Sequence, residues 1–472
     1  MSTPVAGNPG MSITDALSGR GGISAVQWAL LDPASRGVIA ERLDELLEAE
    51  AEATAWQLHR AKFKPDRKLN AHFNVTIRRR GGESVRSVVV TWGPNQENGE
   101  SGGSGAFADM EARAIDHGLA APFRRLRATV PEWGMEMLVS PLDPAFPQLV
   151  ELSDPAAVGS MLASAVGTSV DELPSFRVST IRYRPGERHV LRYDPSEDAP
   201  DVGTVFAKMS RGHDVGTEYR VATLASEWVE AMNVGAHAAR PMAFVEDSDV
   251  LLYPKVAGEP LSQLFVRADD AALEHVRRTG AVLRALHDSG PAPELELKPH
   301  DFHKEIKAIA RAAEHVDRLL PDAGALLHRV LERAEPIYES LPAEPATFVH
   351  GDFKADHLLV EGDELTVLDF GTCGAGDPAL DLGKFAADLH WWYSLTGASG
   401  TSEARGAFFE GYGDAPGERL LRAGVYESLI LMKSTVRRVP LFEGIWADRT
   451  ASLIRRADEL LSPTEGSSAT AS

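Results

Sequence analysis

Two carboxylates carry the chemistry that this chain can do. Asp352 stands in the stretch Val349-His350-Gly351-Asp352-Phe353-Lys354-Ala355-Asp356-His357-Leu358-Leu359, and Asp369 follows in Val367-Leu368-Asp369-Phe370-Gly371. Between them, two short apolar runs flank a tight turn around Glu361-Gly362-Asp363. That layout predicts a β-hairpin with one acid before its first strand and the other after its second. Phosphoryl transfer from a nucleotide needs such a pair. One acid orients or deprotonates the acceptor hydroxyl, and the other holds Mg²⁺ against the phosphates.

The rest of the chain must position these acids. At 472 residues and 43% apolar content, it is long enough for two or three domains with real cores. A net charge of −21 argues against nucleic acid or an anionic membrane as partner, since both call for basic patches. Cys373 is the single cysteine, so no intrachain disulfide can form, and a reducing compartment is expected. No run of 18 or more apolar residues occurs (the threshold is about 18), and the N-terminus lacks a basic region followed by an apolar core. A cytoplasmic protein is expected.

Three stretches read as unstructured from their Gly, Ser, Thr and Pro content: residues 1–20, the region 99–105, and the tail 462–472. An N-terminal α+β domain is expected over 21–155, within which Glu41–Leu58 reads as an amphipathic helix. A β-rich lobe is predicted over 170–258, with five strands and one helix inserted after the third. Helical spacing then dominates 259–461, with the hairpin set into it. The two β-rich regions resemble each other: Lys62-Phe63-Lys64-Pro65, Lys68 and Phe73 line up without gaps against Arg182-Tyr183-Arg184-Pro185, Arg188 and Tyr193. Further on, Glu111 resembles Glu218, and Val90-Thr91 stands where the second region has Ala207-Lys208. The first region therefore reads as a degenerate duplicate of the second lobe, lacking its lysine; chance similarity is the alternative at this point.

An H-x-D motif followed by D-F-G is the signature order of the protein-kinase-like fold. His350-Gly351-Asp352, Leu368-Asp369-Phe370 and Gly376-Asp377-Pro378-Ala379-Leu380-Asp381-Leu382 together resemble the aminoglycoside phosphotransferase and choline-kinase-like family of small-molecule kinases. The resemblance covers about Phe176 to Leu461. It implies a bilobal α+β fold, with a β-rich N-lobe and a helical C-lobe. The implied activity is transfer of a phosphoryl group from ATP, with GTP not excluded, to a hydroxyl of a small acceptor.

Within that resemblance, Asp352 is the expected catalytic base and Asp369 the Mg²⁺ ligand. Lys208 is expected on the donor phosphates, with Glu218 as its ion-pair partner. Lys354 would neutralise charge on the transferred group. His350 is named with the catalytic loop, though packing of that loop is the heavier reading. Asp377 and Asp381 are expected to cap and anchor the helix behind it. Arg188, beside a glycine-poor turn at Arg184-Pro185-Gly186-Glu187-Arg188, is expected to cover phosphates. Backbone around Tyr253, Lys255 and Val256 is expected to face the nucleotide base. His357 departs from the family, which carries asparagine there for a second metal. Imidazole suits Mn²⁺ or Zn²⁺ better than Mg²⁺, which puts a two-metal arrangement in doubt. The aromatic groups His390-Trp391-Trp392-Tyr393 and Phe408-Phe409 read first as core and second as an acceptor pocket, and Cys373 reads as packing. Against the enzyme stands one alternative, a nucleotide-binding pseudokinase that regulates or scaffolds a partner. Oligomeric state is not legible.

Overall fold

A computed structural model describes residues 11–94, 104–196, 203–212, 214–267, 269–290, 299–397 and 399–462. Its first unit is an antiparallel sheet of β1 (Glu52–Lys64), β2 (Lys68–Arg79), β3 (Gly82–Trp92), β4 (Arg127–Val130) and β5 (Met135–Val139), in the order β1-β2-β3-β5-β4. Alternation drives it. Along β2, Leu69, Ala71, Phe73, Val75 and Ile77 are buried, while the side chains between them take the other face. The buried face packs on helices Gly22–Leu31 and Pro33–Leu46; the latter starts with Asp32 accepting the Ala34 N–H and Pro33 at its first position.

Here the structure corrects the sequence reading. The helix expected over Glu41–Leu58 ends at Leu46, and Glu52–Lys64 is strand. Pairing with β2 runs from Glu52↔Arg78 to Lys64↔Lys68, and that ladder outweighs the helix propensity of Glu, Ala and Leu. The N-terminal stretch also contains order: Ile13–Ser18 is helical, capped by Ser12, with Ala16 buried. Residues 1–10, 99–103 and 463–472 of the expected unstructured stretches lie outside the described residues.

The second sheet comprises β6 (Phe176–Arg184), β7 (Arg188–Pro195) and β8 (Val205–Ser210), then, after the two-residue strand β9 (His237–Ala238), β10 (Ala243–Val245) and β11 (Val250–Pro254). Its order is β10-β11-β8-β7-β6, with helix Val215–Met232 inserted after β8. Read from the opposite edge, this is the order of the first sheet, which has helix Ser104–Asp116 after β3. Registers match too: Asn70↔Thr91 and Ala71↔Val90 in the first correspond to Val190↔Lys208 and Leu191↔Ala207 in the second. Phe146, Leu149 and Leu152 are buried with Phe176, Leu191 and Tyr193 in the core of the second sheet.

The helical lobe holds two small sheets. One has the order β12-β14-β15-β9, with β12 (Glu259–Pro260), β14 (Leu358–Glu361) and β15 (Glu364–Val367); the other pairs β13 (Thr347–Val349) with β16 (Gly374–Gly376). The hairpin β14–β15 is the one expected, with Asp352 upstream and Asp369 downstream. Within the helical region the chain breaks at Ala313, between helices Phe302–Ala312 and Glu314–Leu319. The whole is an α+β protein-kinase-like bilobal fold, preceded by an extra α+β unit. Among the described residues no helix is long and apolar enough to cross a membrane.

Candidate active site

Lys208 ties the two lobes together. It sits on the third strand of the second sheet, and its Nζ lies 2.7 Å from Glu218 Oε1 and 2.9 Å from Asp369 Oδ1. Burial alone would lower this amine, but the carboxylates of Asp369 and Glu218 outweigh it and hold the group above its usual range. Glu218 stands in the first turn of helix Val215–Met232, which begins with Asp214 accepting the Thr217 N–H. The glycine after Phe370 makes room for it: a Cβ on Gly371 would lie 2.8 Å from Glu218 Oε1. Asp369 itself adopts a left-handed backbone (φ 61°), a conformation that Asp tolerates better than most residues.

Asp352 faces the same cleft and is held by two cations. Lys354 Nζ approaches Oδ2 at 2.6 Å, and Lys384 Nζ approaches Oδ1 at 2.7 Å. Burial pushes the carboxyl up, yet Lys384, His357 and Lys354 together keep it far below the ordinary carboxylate range. Asp369 is likewise depressed against its burial, chiefly by Lys208. Both acids are therefore ionised at neutral pH.

One face of helix Ala379–Thr396 carries the loop. Asp381, fully buried, accepts the backbone N–H groups of His350 (2.6 Å) and Gly351 (2.9 Å). Lys384, one turn on, reaches Asp352, and Asp388, another turn on, accepts the Ala355 N–H at 3.0 Å. Gly351 is required where it stands: its φ is +76°, and a Cβ would lie 2.4 Å from the Thr372 carbonyl oxygen. His350 is fully buried; its Nδ1 accepts the Asp352 N–H (3.3 Å), and its Nε2 donates to the Leu368 carbonyl (2.9 Å). With both ring nitrogens committed, His350 positions the two acids and is not free for proton transfer, which corrects its grouping with the reacting residues. Asp377 caps the same helix through the Ala379 N–H and binds the buried Arg422 at 2.7 Å, inside the protein rather than at an acceptor.

His357 lies between the two acids. Its Nδ1 donates to the Asp352 carbonyl (3.1 Å), so the lone pair of Nε2 faces Asp369 Oδ2 at 3.6 Å. Burial, followed by Lys354, pulls the ring down to about 4, so it is neutral at pH 7. A lone pair facing a carboxylate oxygen with no proton between them is a donor set that fits a divalent cation.

The cleft between the lobes measures about 370 Å³. It brings Arg188, Lys208 and Glu218 together with Asp352, Lys354, His357 and Asp369, all singled out in sequence. Arg182 and Thr372 also line it and were not anticipated. Tyr253 is not among the residues lining it; its buried hydroxyl has no hydrogen-bond partner among the described residues, and burial together with Glu218 and Asp369 raises the phenol. Lys255 does not meet expectation. Its N–H donates to the Thr204 carbonyl at 2.8 Å and its side chain is exposed. The Val256 amide, by contrast, has no hydrogen-bond partner among the described residues.

The turn Arg184–Arg188 holds a single glycine, Gly186, and is braced from outside. Asp143, just past β5, accepts the Gly186 N–H at 2.8 Å and bonds buried His189 at 2.7 Å. Arg60 and Lys62 of β1 both pair with Glu187. The aromatic groups are mostly core: Trp391 and Phe408 are buried, Phe408 packs on Phe385, and Arg438 lies over Trp391. Cys373 is buried and its thiol is pushed up to about 12 by burial, as packing requires.

Residues 225–423 match the sequence model of the phosphotransferase enzyme family. No curated protein matches the chain. Among solved structures, it is similar to a spectinomycin phosphotransferase in complex with ADP and spectinomycin, at 11% identity and TM-score 0.46, over 65% of this chain and 97% of that one. A choline/ethanolamine kinase family protein from Mesorhizobium loti gives 15% identity and TM-score 0.45, over 65% and 95%. A choline kinase from Cryptosporidium parvum gives 11% and 0.47, over 65% and 95%. The matched segment, 225–423, carries both acids and the helix behind them, in line with the resemblance of the motifs.

Proposed function

We propose that the protein is an ATP-dependent O-phosphotransferase that moves the γ-phosphoryl group to a hydroxyl of a small metabolite: a sugar, amino sugar, aminoglycoside-like antibiotic or amino alcohol. One observation carries this reading. Lys208 bridges Glu218 and Asp369 while Asp352, on the other flank of one hairpin, opens into the same cleft.

In this reading Lys208 and Arg188 hold the donor phosphates, with Arg182 adding a third positive charge. Asp369, with His357 beside it, would hold a divalent cation, which supplies charge neutralisation at the phosphates when bound. Asp352 accepts a hydrogen bond from the attacking hydroxyl. Its depressed basicity suits orientation first and proton uptake late, as the hydroxyl oxygen commits to phosphorus. Lys354 and Lys384 fix its rotamer and set positive charge beside the incoming phosphoryl group. The Val256 amide, just past the end of β11, offers a nucleotide base a backbone donor. A purely nucleotide-binding role is disfavoured, because Lys208, Asp352 and Asp369 are all present and in register.

The test is phosphate transfer from ATP to a panel of sugars, amino alcohols and antibiotics, comparing the parent with Asp352→Ala. Turnover should drop about 10²–10⁴-fold, the usual contribution of a positioned acid–base group. Undiminished turnover would remove Asp352 from the assignment.

A further inference from the structure

The two sheets meet around a second cavity, of about 280 Å³, where edge strand β6 crosses the open face of β1, β2 and β3. Its polar wall is basic: Arg60 from β1, Arg182 and Arg184 from β6, with His59, His72 and Asn74 beside them. The side chains of Arg182 and Arg184 make no hydrogen bond or ion pair with any described residue. Glu187 pairs with Arg60 and Lys62, while Arg182 also feels Asp369 and Asp356 of the catalytic cleft without an ion pair to either. Burial, then Arg60 and Arg182, pushes Arg184 down to about 10, so the cluster bears real repulsion yet stays charged at pH 7. In a chain of net charge −21, three arginines converging on one cavity, two of them with no ion-pair partner among the described residues, are not a general property of the surface.

We propose that this inter-sheet cavity is a binding site for a phosphate-bearing small anion, either inorganic phosphate or a phosphomonoester. Guanidinium forks match phosphate oxygens in pairs, and an anion there relieves the like-charge contact among Arg60, Arg182 and Arg184. The volume suits a phosphate with a few carbons and is too small for a nucleotide, because pockets for drug-sized ligands begin at about 300 Å³. Arg182 also lines the catalytic cleft, so the anion and the donor nucleotide share one cation. The site does not depend on the phosphoryl-transfer reading, because none of its walls belongs to the helical lobe.

The experiment is calorimetric titration of the full-length protein with sodium phosphate and, separately, glycerol 3-phosphate, against sodium chloride at matched ionic strength. Arg184→Gln and Arg60→Gln should each weaken binding about tenfold or more, the scale of one charge-assisted hydrogen bond. Lys208→Ala, which alters only the catalytic cleft, should leave that binding within about threefold, less than the loss of one such bond. The tighter of the two phosphates names the source. Circular dichroism confirms folding, and Arg184→Lys, which keeps charge but loses the fork, should bind between Gln and parent. Phosphate binding no stronger than chloride would overturn the proposal and leave a solvated arginine cluster. Loss in Lys208→Ala but in neither arginine variant would place the anion in the cleft only, and would overturn it equally.

Discussion

Two sheets in this molecule share strand order, inserted helix and pairing register, yet only one of them carries a lysine paired with two carboxylates, Glu218 and Asp369. Where the second sheet carries Lys208, the first carries Thr91, in the same place in the ladder. Where Glu218 turns toward Lys208, Glu111 instead accepts the Leu126 N–H and pairs with Arg125 at 3.2 Å. Opposite Thr91 stands Glu136, which binds Arg127, whereas Leu251 stands opposite Lys208. The first sheet has turned its charges to bracing itself, and its edge strand braces the nucleotide turn of the second through Glu187. Topology alone therefore makes no site. Function resides in a few side chains grafted onto it.

The sharpest way to break this comparison is paired substitution. Lys208→Ala should lower kcat/KM for nucleotide about 10²–10³-fold, the range seen on removing one preorganised charge-stabilising donor. Thr91→Ala should leave it unchanged, and Thr91→Lys should not rescue Lys208→Ala, since Glu136, the acid opposite Thr91, is already bound to Arg127. Steady-state kinetics over ATP concentration checks all three, and a rescued double variant would show that the first sheet retains a latent site.

Lys384 sharpens it next. Lys384→Met removes one of the two cations on Asp352 while keeping the stem that packs the helix. We expect kcat to fall about tenfold with little change in KM for ATP, as for one interaction stronger in the transition state. The pH profile of kcat should also move upward on its acid limb, because Asp352 loses a group that depresses it.

His357→Asn restores the oxygen ligand usual in the family. Its Mg²⁺-supported rate should rise relative to its Mn²⁺-supported rate, by about threefold or more if imidazole disfavours the harder ion. Initial rates over both metals measure the ratio, and an unchanged ratio would take His357 out of the metal site.

The smallest effect concerns neither sheet and serves as the control. His315, buried beside Trp446 in the helical lobe, is lowered by burial to about 4. The unfolded chain takes up this proton near 6.5 and the folded one only near 4. In that window the unfolded state binds more protons, so stability is full above pH 6.5 and falls as pH drops toward 4, by at most about 3 kcal/mol. Urea melts at pH 7 and 4.5 should show this loss, and His315→Gln should reduce it.

Much of the catalytic centre was legible because its signals are local. Asp352, His357 and Asp369 flank one hairpin, and the strands of the second sheet follow each other closely enough for alternation and turn residues to mark them. Lys384 was missed, although Asp381, Lys384 and Asp388 stand at helical spacing and so share a face; reading it required knowing what that face meets. The brace between Lys62 and Glu187 joins residues 125 apart, and no pattern in either stretch reports it. The strand Glu52–Lys64 was misread as helix because its Ala, Glu and Leu favour a helix until β2 supplies a ladder. His350 illustrates the reverse: its motif was plain, but only the two committed ring nitrogens show that it holds the loop instead of moving protons.

The most direct test of the central claim follows transfer of label from γ-labelled ATP to whichever acceptor in the panel the parent enzyme phosphorylates, in parent, Asp352→Asn and Asp369→Asn proteins that all remain folded. The account predicts labelled product from the parent only, with each variant down about a hundredfold or more. Equal labelling by parent and either variant would contradict the assignment of these two acids to the transfer step.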